Sequence, residues 1–300
     1  MDIMNDMRRK NYKRRRGDRK DGRLLRSLNP FYTFIPFIMK ERHDATNYIK
    51  EQAEISATEE YLRQLRNEGY KGIGMLHFFI AAYVRIVAKY PALNRFIAGQ
   101  RIYARNNIVV IMTIKKELSI ESGEAEVKVV FEPTDGIKEV YEKISAEIEN
   151  IRAQGDDNST ERVARMLQKM PRFLLRAAIR FFGWLDYHGW LPTYLTDVSP
   201  FHGSLVVTDL GSIGIPPVFH HLYNFGNIPM FLAFGIKRRA YELNADGTVS
   251  AKKYIDYTLA TDERICDGYY YAQAIRYFRL FLRNPKLLGK PPKEVVEDVD

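Results

Sequence analysis

A short acidic turn near the C-terminus holds the side chains best suited to proton transfer. The turn reads Thr261-Asp262-Glu263-Arg264-Ile265-Cys266-Asp267-Gly268. It follows a segment that alternates like a strand and precedes a run, 269–283, with apolar residues at helical spacing. A polar turn that ends in Asp-Gly between a strand and a helix is a common place to present a reactive side chain.

The neighbours of Glu263 each have two interpretations. Asp262 is either a like-charged group that raises the pKa of Glu263 or an ordinary surface acid. Arg264 is expected to brace Asp267 or a neighbouring subunit. Cys266 is the only cysteine, which excludes an intramolecular disulfide. We expect a buried, inert thiol there, with a catalytic nucleophile as the alternative.

Three histidines are alternative candidates for the base. His202, His220 and His221 flank a predicted strand at 204–208. Packing is the competing role for the adjacent pair, because it lies in an aromatic stretch. The six histidines show no metal-ligand spacing, so we expect no metal site.

The elements that must position these groups alternate without a strict βαβ order. Helical patterns cover 73–90, 137–151 and 269–283, and strand patterns cover 102–113, 125–131, 204–208, 230–236 and 253–260. This order predicts a single α+β domain with a mixed sheet.

Three segments resemble the chloramphenicol acetyltransferase-like acyltransferases, most closely the catalytic domain of 2-oxoacid dehydrogenase acyltransferase (dihydrolipoamide acyltransferase) subunits. Residues 81–94 are similar to the family's buried helix followed by Pro-x-Leu-Asn. Residues 203–211, Gly-Ser-Leu-Val-Val-Thr-Asp-Leu-Gly, are similar to its Gly-Thr-Phe-Thr-Ile-Ser-Asn-Leu-Gly strand. Residues 262–268 match its Asp-His-Arg-x-x-Asp-Gly loop, with Glu263 in place of the catalytic His. Order and spacing agree over residues 20–290.

The resemblance implies a two-layer α+β sandwich, a mixed sheet covered by helices, assembled as a homotrimer with active sites between subunits. Coenzyme A would enter from one side and a thiol, hydroxyl or amine acceptor from the other. Glu263 would be the base, Thr208 the oxyanion donor, and Asp267 the residue that braces the loop. The lipoyl and subunit-binding modules of the complex-bound enzymes are absent, so we expect no covalent lipoyl group on this chain.

The substitution of the base leaves three hypotheses open. A solvated Glu is about two pKa units less basic than His, so Glu263 would be a weaker base unless burial raises its pKa. The second hypothesis moves the base to one of the three histidines. The third is a weak or inactive relative that binds an acyl ligand or scaffolds a partner.

Charge and hydropathy indicate the order of the N-terminus, the partners and the location of the protein. The net charge is +9, and residues 1–26 contribute eleven Lys and Arg against four Asp, 11 − 4 = +7. We predict a basic, poorly ordered arm at 1–26, with contact with an anionic partner such as a nucleotide phosphate as the alternative. We also predict a single catalytic domain at 27–300 and no nucleic acid partner. The N-terminus lacks a secretory apolar core and 31–39 is too short to span a bilayer, so we expect a cytoplasmic protein without a membrane partner.

The segment 173–190 combines aromatic residues with arginines. Packing in the core or against another subunit is the favoured interpretation. A wall of the acyl-substrate site and contact with a membrane interface are the alternatives.

Overall fold

A mixed six-stranded sheet organises the protein. The computed structural model describes residues 12–115, 124–154 and 166–300. The strands of this sheet are β2 Thr46–Glu54, β5 Ile108–Lys115, β6 Glu124–Phe131, β7 Leu205–Asp209, β8 Met230–Leu243 and β9 Val249–Asp262. They lie in the order β2-β9-β8-β7-β5-β6. Strand β7 runs parallel to both β5 and β8, and the other neighbours are antiparallel. The predicted α+β class with a mixed sheet is confirmed.

The helices are α1 Pro30–Ile38, α2 Ser56–Asn67, α3 Met75–Lys89, α4 Ile137–Gln154, α5 Arg172–Tyr187, α6 Thr193–Val198 and α7 Gly268–Arg283. Short 3-10 turns lie at Pro91–Asn94, Leu210–Ile213 and Pro285–Gly289. Helix α3 is buried on nearly every side, as its apolar sequence predicts, and Pro91 follows its C-cap residue, Tyr90.

The two faces of the sheet have different covers. Because side chains alternate along a strand, Leu205 and Val207 of β7 point into the main core, which includes residues of α2, α3, α4 and α7. Val206 points to the opposite, outer face, where it packs with Phe231 and Leu222. The segment 214–229 crosses this outer face close to β8. A Cβ on Gly235 would lie 2.4 Å from the Cδ of Pro217, so a glycine there permits this approach.

A smaller sheet incorporates part of the predicted N-terminal arm. Its strands are β1 Gly22–Leu24, β4 Arg101–Arg105 and β3 Arg95–Ala98, in the order β1-β4-β3. Residues 1–11 of the arm lie outside the described residues. The prediction of a poorly ordered arm is wrong for 19–26, because Arg19 and Arg23 are buried and β1 pairs with β4.

Helix α5 lies on the surface. Among its residues only Asp186 is buried, and Phe173 is 72% exposed. Packing of 173–190 in the core of its own subunit is therefore wrong, and the other interpretations remain. Within the described ranges, every helix is either too short or too polar to cross a bilayer.

Candidate functional site

The loop that carries Glu263 is fixed by a buried ion pair. Asp262, the last residue of β9, is 1% exposed and Arg264 is 2% exposed. The guanidinium of Arg264 binds both carboxylate oxygens of Asp262, Nε to Oδ1 and Nη2 to Oδ2, each at 2.7 Å. Its Nη1 donates to the carbonyl of Met39, also at 2.7 Å. Two interpretations were therefore wrong: Asp262 is not a surface acid, and Arg264 braces Asp262 rather than Asp267.

Glu263 points away from this buried pair. Its backbone N–H donates to the carbonyl of Ala45 at 2.9 Å, while its side chain is exposed in the single chain. Asn47 on β2 donates from Nδ2 to Oε2 of Glu263 at 2.9 Å. The other carboxylate oxygen accepts no hydrogen bond from a described residue. Asn47 carries no signal in the sequence, because the β2–β9 pairing alone brings it here.

Asp267 has a local structural role in the loop. Its side chain accepts from the N–H of Tyr270 at 2.7 Å, which makes Asp267 the N-cap of α7. A short carboxylate at this position satisfies a free backbone donor and interacts favourably with the helix dipole. The bracing role given to Asp267 is compatible with this geometry.

Cys266 belongs to the same loop and is half-buried. Burial raises the pKa of its thiol to about 12, against a smaller opposing effect of Arg95. The thiol is therefore protonated at neutral pH, which favours the inert role over nucleophilic catalysis.

An open cleft of about 830 Å³ borders the loop. Its polar end is formed by Asn47, Glu263 and Asp267, and its apolar wall comes mainly from α1. The residues of that wall are Phe31, Tyr32, Ile35 and Met39. The cleft therefore combines an exposed carboxylate with an apolar wall.

Thr208 lies on the outer face of the sheet, since it alternates with Val207 in the core. It pairs with Ala233 of β8, which pairs with Thr258 of β9. Its hydroxyl makes no hydrogen bond with any described residue, so it is available to donate to a bound oxyanion. The hydroxyl of Thr258 is engaged with the carbonyl of Val218 at 2.6 Å.

One chain does not bring Glu263 and Thr208 together. Glu263 lies five residues beyond Thr258, and Thr258 is two strands away from Thr208. Strand spacing and rise place the two Cα atoms about 10 Å apart laterally and about 16 Å apart along β9, roughly 19 Å in total. Neither the loop nor the strand can close this gap, because the sheet fixes both.

Of the three histidines, His220 is the one placed on the face of Thr208. Its ring stacks on Phe231, with centroids 4.2 Å apart and planes 8° apart. Its Nε2 is buried without a hydrogen-bond partner in the described part of the chain. Burial lowers the pKa of His220, so the ring is neutral near pH 7 and able to accept a proton. His221 is exposed and meets Tyr223 edge-on.

His202 belongs to a different, charged cavity. It is 3% exposed, with Nδ1 2.8 Å from Ser199 Oγ and Nε2 3.4 Å from Oδ2 of Asp186. Asp186 is also bound by Arg19 at 2.6 Å, and its contacts with His202 and Arg19 hold the pKa of its carboxyl well below its usual range despite burial. These contacts favour a structural role for His202 over that of a base.

This charged cavity has a volume of about 410 Å³ and was not predicted from the sequence. Lys128 on β6 lines it and donates from Nζ to the carbonyls of Thr196 and Ser199, at 2.7 and 3.3 Å. Burial lowers the pKa of Lys128 to about 7 and that of Arg105 to about 10. Its cations and carboxylates come from distant parts of the sequence, so no local pattern signals it. In the described ranges no group of three or more His, Cys, Asp or Glu side chains is arranged to hold a metal ion.

Comparison with known proteins supports the resemblance at the level of the fold. A probable dihydrolipoamide acetyltransferase from Listeria monocytogenes superposes with a TM-score of 0.54 at 14% identity, covering 87% of this chain and 95% of that chain. Chloramphenicol acetyltransferase superposes with a TM-score of 0.53 at 11% identity, covering 87% and 99%. No family model and no curated protein matches the sequence. The chain therefore has the chloramphenicol acetyltransferase-like fold that its three motifs predict.

Proposed function

We propose that the protein is an acyltransferase that moves an acyl group between coenzyme A and a thiol, hydroxyl or amine acceptor, with Glu263 as base and Thr208 as oxyanion donor. The observation that carries the proposal is the position of Glu263. A loop anchored by a buried ion pair holds its carboxylate at the polar end of a cleft with an apolar wall. The fold adds weight to the proposal, because the two solved structures described above carry acetyltransferase names.

The reaction assigns one role to each side chain. Glu263 accepts the proton of the acceptor group as the new bond to the thioester carbonyl carbon forms. The carbonyl oxygen becomes an oxyanion, and the hydroxyl of Thr208 donates a hydrogen bond to it. When the intermediate collapses, the C–S bond to coenzyme A breaks and the proton on Glu263 passes to the leaving sulfur. Accepting the proton changes Glu263 from anionic to neutral.

The separation of the two groups within one chain leads us to place the active site between two subunits of a homotrimer. Glu263 of one subunit and Thr208 of its neighbour would form each site. This arrangement predicts complementation between two inactive variants, Glu263→Gln and Thr208→Val. Random mixing of the two chains in equal amounts regenerates about a quarter of all sites. In trimers that contain both chains, about a third of the sites are regenerated, one in each trimer.

The complementation experiment uses co-expressed, differently tagged chains purified through both tags. Recovery of turnover above that of either variant supports a shared site. If mixed oligomers form and remain as inactive as the separate variants, the two residues do not act at one site between subunits.

The test of the chemistry is turnover of acyl-coenzyme A. We expect release of coenzyme A from acetyl and longer acyl thioesters in the presence of a panel of thiols, alcohols and amines. Glu263→Gln should reduce kcat at least about 100-fold, within the range for loss of a positioned base. Glu149→Gln, an exposed carboxylate on α4, is the matched control and should keep full activity. Wild-type rates in Glu263→Gln would exclude Glu263 as the base.

A relocated base is the second candidate mechanism, and the geometry of His220 favours it over the other histidines. Its unpartnered Nε2 lies on the same face of the sheet as Thr208. If His220 is the base, His220→Gln removes turnover while His221→Gln and Glu263→Gln keep it.

A non-catalytic relative is the alternative function. The observation that favours it is the exposed carboxylate at the position where the family has its catalytic His. Calorimetry separates the cases: this alternative predicts saturable binding of an acyl-coenzyme A without turnover for any acceptor.

A further inference from the structure

The segment 166–196 places an unusual set of side chains on the surface. Several of its large apolar residues are more than 40% exposed. They are Met166, Phe173, Leu174, Phe181, Trp184, Tyr187, Trp190 and Tyr194. Isolated apolar residues are normal on protein surfaces, but a contiguous group of this kind marks an interaction site.

Helix α5 arranges these residues in two parallel rows. Arg172, Arg176 and Arg180 recur every four residues and form one exposed row. The next row is shifted by one residue, about 100° around the helix, and is aromatic. It consists of Phe173, Phe181 and Trp184. The half-buried residues of α5, such as Leu175 and Phe182, face the body of the protein. Both rows are therefore presented to solvent together.

Two hydrogen bonds link the end of α5 to α1. The hydroxyl of Tyr187 donates to Oε1 of Gln100 at 2.7 Å, and Gln100 in turn donates to the carbonyl of Pro36 at 3.5 Å. Gln100 thus joins the end of α5 to α1. Helix α1 carries the exposed side chains of Phe34, Phe37 and Ile38. We call these residues of α5 and α1, with Trp190, the aromatic–arginine surface.

The charge of this segment is one-sided. Between 166 and 196 the basic side chains are Lys169 and the three arginines of α5, all exposed. The single acidic residue in that range, Asp186, is buried and bound by Arg19. The surface therefore presents guanidinium donors beside aromatic rings. No acidic side chain between 166 and 196 is free to neutralise the charge of these guanidinium groups.

We propose that the aromatic–arginine surface docks on an anionic lipid membrane, with α5 lying in the plane of the interface. Lipid phosphates would bind the arginine row, and the aromatic row would insert at the depth of the head groups, where Trp and Tyr rings are favoured. The charge favours this occupant over a second copy, because a protein partner would have to supply carboxylates for the whole arginine row. Docking needs no spanning helix, and it replaces the expectation of no membrane partner. It does not depend on acyl transfer.

The chain contains its own probe of this surface. Its two tryptophans are Trp184 and Trp190, which are 49% and 62% exposed. The full-length protein is mixed with vesicles of phosphatidylcholine alone or with about 30% phosphatidylglycerol, which supplies the negative surface charge. We expect co-sedimentation and a blue shift of tryptophan emission with the anionic vesicles only. Raising the salt from about 0.1 M to about 0.5 M should weaken both signals.

Matched variants separate the charge of the row from the total charge. The triple variant R172Q/R176Q/R180Q should bind anionic vesicles on the order of 100-fold more weakly, since each basic residue near the surface contributes about fivefold. The control R63Q/R276Q/R283Q removes the same charge from exposed arginines outside the surface and should bind nearly as wild type. Light scattering on each variant verifies that the oligomeric state is unchanged.

A different set of results would contradict membrane docking. If the surface is an interface between copies of the chain, tryptophan emission is already blue-shifted without lipid, does not respond to vesicles, and shifts to the red when F181S/W184S breaks the oligomer. That outcome, or equal binding of both triple variants, overturns membrane docking.

Discussion

The loop 262–268 and the outer face of the sheet around Thr208 hold their side chains by different means. At the loop, the position of Glu263 depends on the buried ion pair of Asp262 and Arg264 and on Asn47. At Thr208, the backbone pairing of β7 between β5 and β8 suffices. The loop should therefore be sensitive to substitutions that never touch substrate, whereas the sheet should tolerate changes around Thr208 that leave the backbone intact.

The largest expected effect comes from breaking the ion pair under the loop. Among the described residues, Arg264→Met leaves the buried Asp262 with Arg42 as its remaining ion-pair partner, at 3.6 Å from Nε to Oδ2. Loss of one partner of a buried pair costs about 3 to 5 kcal/mol in the free energy of unfolding. Urea denaturation at fixed protein concentration measures this loss.

The control for that experiment is Arg63→Met, which breaks a solvent-exposed pair with Glu60 and should change the free energy of unfolding by less than about 1 kcal/mol. If Arg264→Met unfolds at the same urea concentration as this control, the contrast between the two regions does not hold.

The second prediction concerns the hydroxyl of Thr208, which lies on the sheet. Thr208→Val removes the hydroxyl without changing shape, so kcat for acyl transfer should fall about 100- to 1,000-fold. The free energy of unfolding should remain near the wild-type value, because the hydroxyl has no partner in the described chain. Thr208→Ser keeps the donor and should retain most activity. If Thr208→Val has the kcat of the wild type, Thr208 is not part of the proposed site.

Chemical labelling of Cys266 tests how well the loop excludes water. With its pKa raised to about 12, the thiol is almost wholly protonated at pH 8, whereas an unfolded thiol near 8.5 is partly ionised. We expect a disulfide reagent to react with the native protein at least about 100-fold more slowly than with the unfolded chain. Since this is the only cysteine, the signal is unambiguous. Equal rates would mean that the loop is open.

The smallest expected effect is at Asn47. Asn47→Ala removes one hydrogen bond to the carboxylate of Glu263, which contributes about 1 kcal/mol, so kcat should fall about fivefold. Gln52→Ala, on the same strand but away from the loop, is the control. An effect as large as that of Glu263→Gln would assign Asn47 a direct role in the reaction.

Local patterns predicted the elements better than the contacts between them. Strands β7 and β9 were predicted from the alternation of 204–208 and 253–260, and α3 from the apolar run of 73–90. In these segments the spacing of apolar side chains reflects which sides are buried. The interpretation of 173–190 as core was wrong because composition does not tell which side of a helix faces the protein. Arg264 was misplaced for a related reason: either of two nearby aspartates satisfies its charge, and only the backbone of the turn selects Asp262.

By itself, the sequence determined that the chain forms an α+β sandwich with a polar loop between β9 and α7, since periodicity and three motifs encode short-range structure. Only the tertiary structure decided that Glu263 and Thr208 are roughly 19 Å apart in one chain, that Asn47 reaches the loop, and that His220 shares the face of Thr208. These relations follow from strand order and register, which join residues up to about 200 positions apart and leave no trace in any local pattern.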